Sequence, residues 1–220
     1  MSLPATDGES EEKGVNPEGV GVRLARGYDN TERSARSERS RIRILETLAE
    51  LLQDKPAVEV TFDQIAARAG LSVRTVFRFY KDKDSLFRSF EEEVLRRLRD
   101  ERSLVMEMAA PEFAAEQYRI FERNARWVEA LRRTPIRSAD RAQFRREGIE
   151  ILSAKIRASL PLTMSEANER QIGFIAMLAG DALWSDLRRY IGRDGGEMAD
   201  VLRMNVAHLM GVLEHTPFPT

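Results

Sequence analysis

The sequence contains no cysteine and only two histidines, His208 and His215. The absence of cysteine excludes disulfides, thiol catalysis and cysteine-bound zinc. Two histidines that lie close together in sequence cannot supply a histidine-rich metal site. No nucleophile is paired with a base along the sequence either. We therefore expect that the protein is not an enzyme and needs neither a metal nor another cofactor.

The sequence also lacks a long apolar run. Its longest stretch of low charge, residues 171–180, is about half as long as the ~20 residues that a membrane-spanning helix requires. No apolar run follows a basic start at the N-terminus. We therefore expect a cytoplasmic protein without a membrane partner. A glycine-rich phosphate loop and sustained alternation of apolar and polar residues are missing as well, so no strand is predicted.

What the sequence does contain is charge and apolar residues in amounts typical of a helical protein. The chain has 220 residues, of which 42% are hydrophobic and 32% are charged, with a net charge of −1. This length allows one large domain or two small ones. The net charge gives no indication of a nucleic-acid partner, but residues 68–88 hold six basic and two acidic residues. The distribution of charge is therefore the informative feature.

The N-terminal part of the chain changes sign along its length. Residues 1–20 carry five acidic residues against one lysine and almost no large apolar side chains, which predicts disorder. Residues 21–43 carry seven arginines against three acidic residues. This basic part is either a solvated lead-in to the first helix or an arm that lies along DNA, where it can enter a minor groove. We assign residues 1–33 to an acidic-then-basic arm.

Helical patterns begin after this arm. Apolar residues at helical spacing predict a first helix from about residue 35 to Leu52. Thr61 and Gln64 have the spacing of a capping box, which predicts a short second helix over 62–69. Gly70 follows as the stop, suited to a left-handed backbone.

A third short helix and a long fourth one follow at once. Ser72 is the expected N-cap of a helix over 73–79, and Asp82 is the expected N-cap of the next. Two short helices joined by a tight turn that contains glycine form a helix-turn-helix unit. Such a unit places the N-terminal part of its second helix in the major groove of DNA.

The residue types of this second helix suit contacts with DNA. Arg74 and Arg78 are four residues apart and share one helix face, where each can bond to O6 and N7 of guanine. Thr75 can offer its methyl group to thymine. Lys81 and Lys83 lie at the start of the fourth helix, where an ammonium and unpaired backbone N–H groups can hold a phosphate together.

The run TFDQIAARAGLSVRTVFRFYKDKDSLF, residues 61–87, closely resembles the DNA-binding signature of the TetR family of bacterial transcriptional regulators. The resemblance covers about residues 40–90. It implies a three-helix DNA-binding domain over 34–90 and a helical domain for ligand binding and dimerisation over 91–220. It further implies a homodimer on a near-palindromic operator, usually a repressor, which a small molecule releases by entering the C-terminal domain.

The resemblance also assigns roles to individual positions. Lys83 matches the phosphate-binding lysine of the family, and Thr61 matches a position that faces the DNA backbone. The predicted DNA-binding residues are Thr61, Ser72, Val73, Arg74, Thr75, Arg78, Lys81 and Lys83, of which Val73, Arg74, Thr75 and Arg78 match the variable positions that contact bases. Phe77 and Phe79 depart from the family, which usually has tyrosine or histidine there, so those two phosphate contacts are not carried over.

The rest of the chain is predicted to be helical over about 112–133, 138–159, 165–191 and 196–214. Residues 171–184 contain a single charge, so that helix is apolar on nearly all sides and must be buried on nearly all sides. One face of this helix can cover the core of its own subunit, and the other face needs a partner. The resemblance implies a four-helix bundle between two subunits at this place; the alternative is that the helix lies in the core of a monomeric bundle. The predicted dimer residues are Ile175, Leu183, Leu187, Leu202, Val206, Leu209 and Leu213.

Large apolar residues between these helices could line a ligand pocket, although at helical spacing they could equally be plain core. The predicted ligand-binding residues are Phe121, Trp127, Phe174, Met177, Asp181 and Trp184. Asp181 stands on an otherwise apolar segment, where it could satisfy a local hydrogen bond, meet a partner charge or bind a ligand amine.

The sequence thus predicts an all-α, TetR-like, homodimeric DNA-binding regulator, a repressor that a small-molecule ligand releases from its operator. The alternative is a DNA-binding regulator that a protein partner controls, without a small-molecule effector. The acidic segment 1–20 is the feature that motivates this alternative.

Overall fold

The computed structural model describes the backbone of residues 18–160, 166–190 and 195–215, and the side chains of 31–160, 168–190 and 195–214. The described backbone forms ten α-helices and no strand, which confirms the predicted all-α fold. The helices are α1 (Glu18–Asp54), α2 (Phe62–Ala69), α3 (Val73–Phe79), α4 (Lys83–Ser103), α5 (Ala110–Arg123), α6 (Ala125–Arg133), α7 (Ala139–Ser159), α8 (Glu166–Met177), α9 (Asp181–Tyr190) and α10 (Gly195–His215).

The helices α2 and α3 have the predicted bounds, whereas α1 begins far earlier than residue 35. No proline interrupts the chain between Pro17 and Pro56, and the arginines and glutamates of this segment are good helix formers. The backbone is therefore helical from Glu18 onward, within the segment assigned to the arm. Residues 1–17, which hold most of the acidic segment, lie outside the described residues.

The chain divides into two compact units at residue 42. In the first unit, the side chains from Thr31 to Arg39 are exposed, and Arg41 forms an ion pair with Glu38 at 2.7 Å. The second unit starts at Arg43 and contains all the helices from α2 onward. The predicted domain boundary between residues 90 and 91 falls inside α4.

Two long helices of the sequence prediction are each split in the structure. The helix expected over 112–133 is interrupted at Asn124, whose buried amide donates hydrogen bonds to Glu101 and to the carbonyl of Ile120. The helix expected over 165–191 is interrupted between α8 and α9. There the Tyr118 hydroxyl donates to the carbonyl of Leu178 at 2.7 Å. At each break a hydrogen bond joins groups distant in sequence, Asn124 with Glu101 and Tyr118 with Leu178, and helical spacing does not reveal such contacts.

One continuous hydrophobic core runs through the second unit, from α1 to α10. Phe90 of α4 is fully buried and stacks on Trp127 of α6, with ring centroids 5.4 Å apart. Helix α10 packs mainly against α5, and α7 against α8. Within the described part of the chain, no helix is both long and apolar enough to cross a membrane.

Candidate DNA-binding surface and ligand cavity

The turn between α2 and α3 has the predicted geometry. Thr61 Oγ1 accepts a hydrogen bond from the N–H of Gln64 at 3.2 Å, and the Gln64 side chain accepts one from the N–H of Thr61. Gly70 ends α2 with a φ of 63°, which a residue with a Cβ adopts only at a cost. The N–H of Leu71 donates to the carbonyl of Ala66 at 2.9 Å, so the direction of the chain into α3 is fixed locally.

Packing against α2 determines which face of α3 meets solvent. Val76 of α3 and Ile65 of α2 are both 0% exposed. Ser72 caps α3 by accepting from the N–H of Thr75 at 3.1 Å, and the two hydroxyls lie 2.8 Å apart. Val73 is half-buried and packs against the core. The predicted base-contacting position at Val73 therefore contributes to packing as well.

The opposite face of α3 presents two arginines. Arg74 and Arg78 are exposed and lie one helical turn apart. No carboxylate oxygen of the described residues comes within 4.0 Å of either guanidinium. Arg78 lies 5.4 Å from the centre of the Phe79 ring. Both side chains keep the bidentate donor geometry that guanine O6 and N7 accept.

The start of α4 is partly occupied by its own cap. Asp82 accepts from the backbone N–H of Ser85 at 2.8 Å, and that hydrogen bond is the main reason why the pKa of Asp82 lies below its ordinary value. One of the N–H groups that the sequence assigned to phosphate is therefore already paired. A phosphate here would be held by the remaining N–H groups together with the cations at Lys81, which is exposed, and Lys83.

Lys83 is positioned by a backbone contact. Its Nζ donates to the carbonyl of Val58 at 2.9 Å. An ammonium has three N–H donors, so two remain for a phosphate oxygen. The carbonyl of Val58 thus orients the charge at the start of α4 without neutralising it.

We expect that Lys83→Ala weakens binding to all DNA sequences by a similar factor and lowers the salt slope of binding by about 1, because a phosphate contact carries no sequence information. Fluorescence anisotropy at several salt concentrations measures both quantities. Lys155→Ala is the matched control, since Lys155 also donates to backbone carbonyls, those of Met106 and Met108, but on α7. A loss restricted to one DNA sequence would contradict the role of Lys83.

The aromatic residues that follow Arg74 divide between core and rim. Tyr80 is buried, with 4% of its surface exposed, whereas Phe77 is 55% exposed. The Phe77 ring contacts Phe62 edge to face, with centroids 4.8 Å apart. Phe79 is half-buried. Phe77 therefore stands beside the arginine face with one edge packed and the other in solvent.

A second feature is a cavity of about 240 Å³ between α4, α5, α7, α8 and α9. Three of the predicted ligand-binding residues, Phe121, Met177 and Asp181, line it. Trp184 is fully buried beside Phe121, with ring centroids 5.8 Å apart, but does not line the cavity. Trp127 packs against Phe90 instead.

Phe174 does not line this cavity either, and 62% of its surface is exposed. Phe174 lies one turn before Met177, on the exposed side of α8 and about 100° from the buried Ile175, so its ring meets solvent and not the cavity. Neither Trp127 nor Phe174 is therefore included in the cavity proposal below.

Asp181 does not stand unpaired in the cavity. Both of its carboxylate oxygens accept from Arg145, at 2.9 and 2.8 Å. The hydrogen bond to Asp181 is also the main cause of the raised pKa of Arg145. The carboxylate that could have bound a ligand amine is therefore already paired. Of the three roles that the sequence allowed for Asp181, namely a local hydrogen bond, an ion pair or a contact with a ligand amine, the structure supports the ion pair.

Sequence reasoning missed the polar residues of the cavity, above all Arg102. Phe90, Val94 and Leu98 form an i, i+4 stripe on α4, and Arg102 is the next position of that same stripe. An arginine in register with buried residues is itself a signal, because charged side chains are almost never buried without a partner. Gln117, which also lines the cavity, gave no comparable signal.

The predicted dimer residues separate into two groups. Ile175, Leu202, Val206 and Leu213 are buried in the core of the protomer itself, with at most 6% of their surface exposed. Their side chains are thus largely covered within the protomer, and their part in a dimer stays a prediction. Leu183, Leu187 and Leu209 are half-buried, and they line a groove of about 330 Å³ beside α10.

The exposed apolar side chains of α8 and α10 are neighbours of the predicted ones. On α10, Val201 is 51%, Met204 63% and Val212 43% exposed, and on α8 Phe174 is 62% exposed. Successive helix positions differ by about 100°. The apolar side chains that α10 exposes therefore lie on a different side of the helix from the predicted ones that are buried, and the dimer interface itself stays a prediction.

Comparison with known proteins agrees with this geometry. Residues 44–90 match the model of a family described as bacterial regulatory proteins, tetR family. No curated protein matches the chain significantly. The matched residues include the helix-turn-helix unit, its caps and the first turns of α4.

Two solved structures are similar. A transcriptional regulator of the TerR/AcrR family from Aquifex aeolicus VF5 has 18% sequence identity and a TM-score of 0.57, covering 77% of this chain and 99% of its own. A transcriptional regulator from Cytophaga hutchinsonii has 14% identity and a TM-score of 0.48, covering 77% and 93% respectively. The first of these likenesses shows a shared fold. Residues 44–90 therefore match the tetR family of bacterial regulatory proteins, and the chain shares the fold of the Aquifex aeolicus protein.

Proposed function

We propose that this protein is a homodimeric transcriptional repressor that binds a near-palindromic operator through α3 and leaves it when a small molecule enters the cavity between α4 and α8. The observation that supports it most directly is the arginine face of α3. Arg74 and Arg78 are exposed on a short helix whose opposite side is buried. The proposal places the protein in the cytoplasm, with the DNA.

The helix α4 joins the two sites in this proposal. Lys83 is its first residue, and Arg102, close to its end, lines the cavity. At 1.5 Å per residue the two positions are about 30 Å apart along the helix axis. A ligand that favours one position of the end of α4 therefore acts on the same rigid element that carries the phosphate contact.

The repression mechanism is a shift of populations between two dimer conformations. A dimer contacts two half-sites only when its two α3 helices are about 34–36 Å apart. A ligand that binds more tightly to a conformation with a different spacing shifts the equilibrium toward that conformation and so releases the dimer from DNA. The size of the shift is limited by the difference between the ligand's affinities for the two conformations.

We expect that Arg74→Ala or Arg78→Ala costs about 1–3 kcal/mol of operator binding and relaxes the sequence preference, because each removes a bidentate contact to a base. The operator is first located by footprinting with the purified protein on DNA upstream of its own coding sequence. Anisotropy on that operator and on single-base variants then measures affinity and preference.

Arg88→Ala is the matched control for these two variants. Arg88 is also exposed, but it lies on α4 outside the face of α3. It should leave the sequence preference unchanged. If the three variants behave alike, or if the purified protein binds no DNA in a salt-dependent way, α3 is not the recognition helix.

Control by a protein partner remains a prediction from the sequence alone. It depends on the acidic segment 1–20, whose side chains lie outside the described residues. Deleting residues 1–17 without any change in operator affinity or regulation would remove its basis.

A further inference from the structure

We propose that the effector is an organic anion, a small carboxylate with a compact apolar body, and that Arg102 and Gln117 hold its carboxylate in the cavity. This inference depends on the proposed function, in which the same cavity receives the effector. It identifies the chemical class of the ligand.

Arg102 is a buried cation without a carboxylate partner. Only 6% of its surface is exposed. Its Nε donates to Gln117 Oε1 at 2.9 Å, its Nη1 donates weakly to the Phe144 carbonyl at 3.4 Å, and its guanidinium lies 4.0 Å from the Phe144 ring centre. No carboxylate oxygen of the described side chains lies within 4.0 Å of this guanidinium. Since a guanidinium has five N–H donors, most of its capacity is unused.

The two carboxylates whose charge acts on Arg102, Glu147 and Asp181, are committed to other arginines. Asp181 forms its bidentate pair with Arg145, and Glu147 accepts from Arg99 at 3.3 Å. The cavity lining thus holds two guanidiniums and one carboxylate. Burial is the main reason why the pKa of Arg102 falls to about 10. The group is still charged near neutral pH, so an anion in the cavity would meet a positive charge that the fold leaves unpaired.

Gln117 adds a second donor at the same place. Its Oε1 accepts from Arg102, which determines the orientation of the amide, and its Nε2 is buried without a hydrogen-bond partner among the described residues. A buried amide without a partner is costly. One carboxylate could satisfy this N–H and the guanidinium together, whereas an alcohol or an amine could not pair the charge.

The remaining walls of the cavity are apolar and its volume is small. Phe121, Ile149, Ala176 and Met177 line it. Its volume of about 240 Å³ is below the ~300–1,000 Å³ of sites for drug-sized molecules. We therefore expect a short acyl chain or a single aromatic ring as the body of the ligand.

The field around the cavity also favours an anion. Arg145 lines both the cavity and a neighbouring groove, and the other arginines of this groove are Arg132, Arg133, Arg137, Arg141 and Arg189. The single carboxylate of the groove lining, Glu129, accepts from the hydroxyl of Ser185 at 2.8 Å. Such an excess of one sign attracts and concentrates ligands of the opposite sign.

The test uses calorimetry on the purified full-length chain with two sets of probes. One set is octanoate, octanol and octylamine, and the other is phenylacetate, phenylethanol and phenylethylamine, so that only the head group changes within a set. We expect at least one carboxylate to bind about tenfold or more tightly than its alcohol, and the amines to bind no better than the alcohols, because a charge-assisted hydrogen bond to a buried arginine is stronger than a neutral one.

Arg102→Met should abolish this preference for the carboxylate and leave alcohol binding unchanged. Arg146→Met is the matched control, because Arg146 is an exposed arginine of α7 that donates to Gln143 at 2.9 Å and does not line the cavity. If circular dichroism shows that Arg102→Met is unfolded, Arg102→Lys serves instead. It keeps a cation without the planar fork, and it should bind the carboxylate several-fold more weakly than the native chain.

Four results would overturn the inference: no binding of either carboxylate, equal binding of carboxylate and alcohol, tighter binding of an amine, or an unchanged preference in the Arg102 variant. Operator anisotropy with the same probes is measured separately. Selective carboxylate binding without release of DNA would leave this inference standing and contradict ligand-controlled release. Operator binding by a protein that ignores both carboxylates would contradict the inference and leave the DNA-binding role intact.

Discussion

Met204→Glu is expected to convert the protein to a monomer and to remove most of its affinity for a two-half-site operator. Met204 is 63% exposed on α10, on the outer face that also presents Val201 and Val212. In a twofold-symmetric interface each substitution places two carboxylates against apolar surface. An unpaired charge in a buried interface costs about 3–5 kcal/mol, and loss of the second half-site removes a factor of about 10²–10⁴ in affinity.

Sedimentation analysis and operator anisotropy measure the two effects separately. Met108→Glu is the matched control, because Met108 is 39% exposed on the connection between α4 and α5 and should tolerate a charge. A Met204→Glu protein that is still dimeric would show that the outer face of α10 is not the interface. A native protein that is already monomeric would show that no such dimer forms.

Phe90→Ala is expected to lower the free energy of unfolding by about 3–5 kcal/mol, since the substitution leaves a cavity that the surrounding core cannot fill. Phe90 is 0% exposed, and its ring stacks on Trp127 with centroids 5.4 Å apart. Trp127 is also covered by the Arg97 guanidinium, 4.1 Å from its centre. This contact ties α4 to α6, so its loss affects the helix that links the two proposed sites.

Urea unfolding followed by circular dichroism measures this loss, at a fixed protomer concentration because dimerisation would add to the stability. Phe77→Ala is the control, a phenylalanine that is 55% exposed and contacts Phe62 by one edge. Its expected cost is about 1 kcal/mol, the usual size for a partly exposed site. Equal losses in the two variants would show that Phe90 is not a central core residue.

The sequence predicted the helix-turn-helix unit almost residue by residue. The signals there are local, since the Thr61 cap, the Gly70 stop and the Asp82 cap each act within one turn of the chain. The bounds of α2 and α3 and the left-handed φ of Gly70 agree with the prediction for that reason. Long helices were predicted less well, because the helical spacing of apolar residues continues through the breaks at Asn124 and before Asp181, and the prediction did not use Gly180 as a stop.

The ligand cavity shows the opposite case. Helical spacing identified large apolar residues, but Trp127 and Phe174 lie away from the cavity, while Phe121 and Met177 line it. Whether a residue between helices faces a cavity or plain core depends on how several helices cross. Asp181 likewise became informative only when Arg145, from another helix, was found 2.8 Å away.

By itself, the sequence determined the all-helical class, the helix-turn-helix unit and the two arginines of α3. Periodicity and capping act over one or two turns, and they are written in neighbouring residues. The tertiary structure decided which face of α10 stays exposed, where α5 and α8 end, and that Arg102 and Asp181 line one cavity. These features follow from packing between helices distant in sequence. Successive residues of a helix point about 100° apart around its axis, so a shift of one position is enough to exchange a buried side chain for an exposed one.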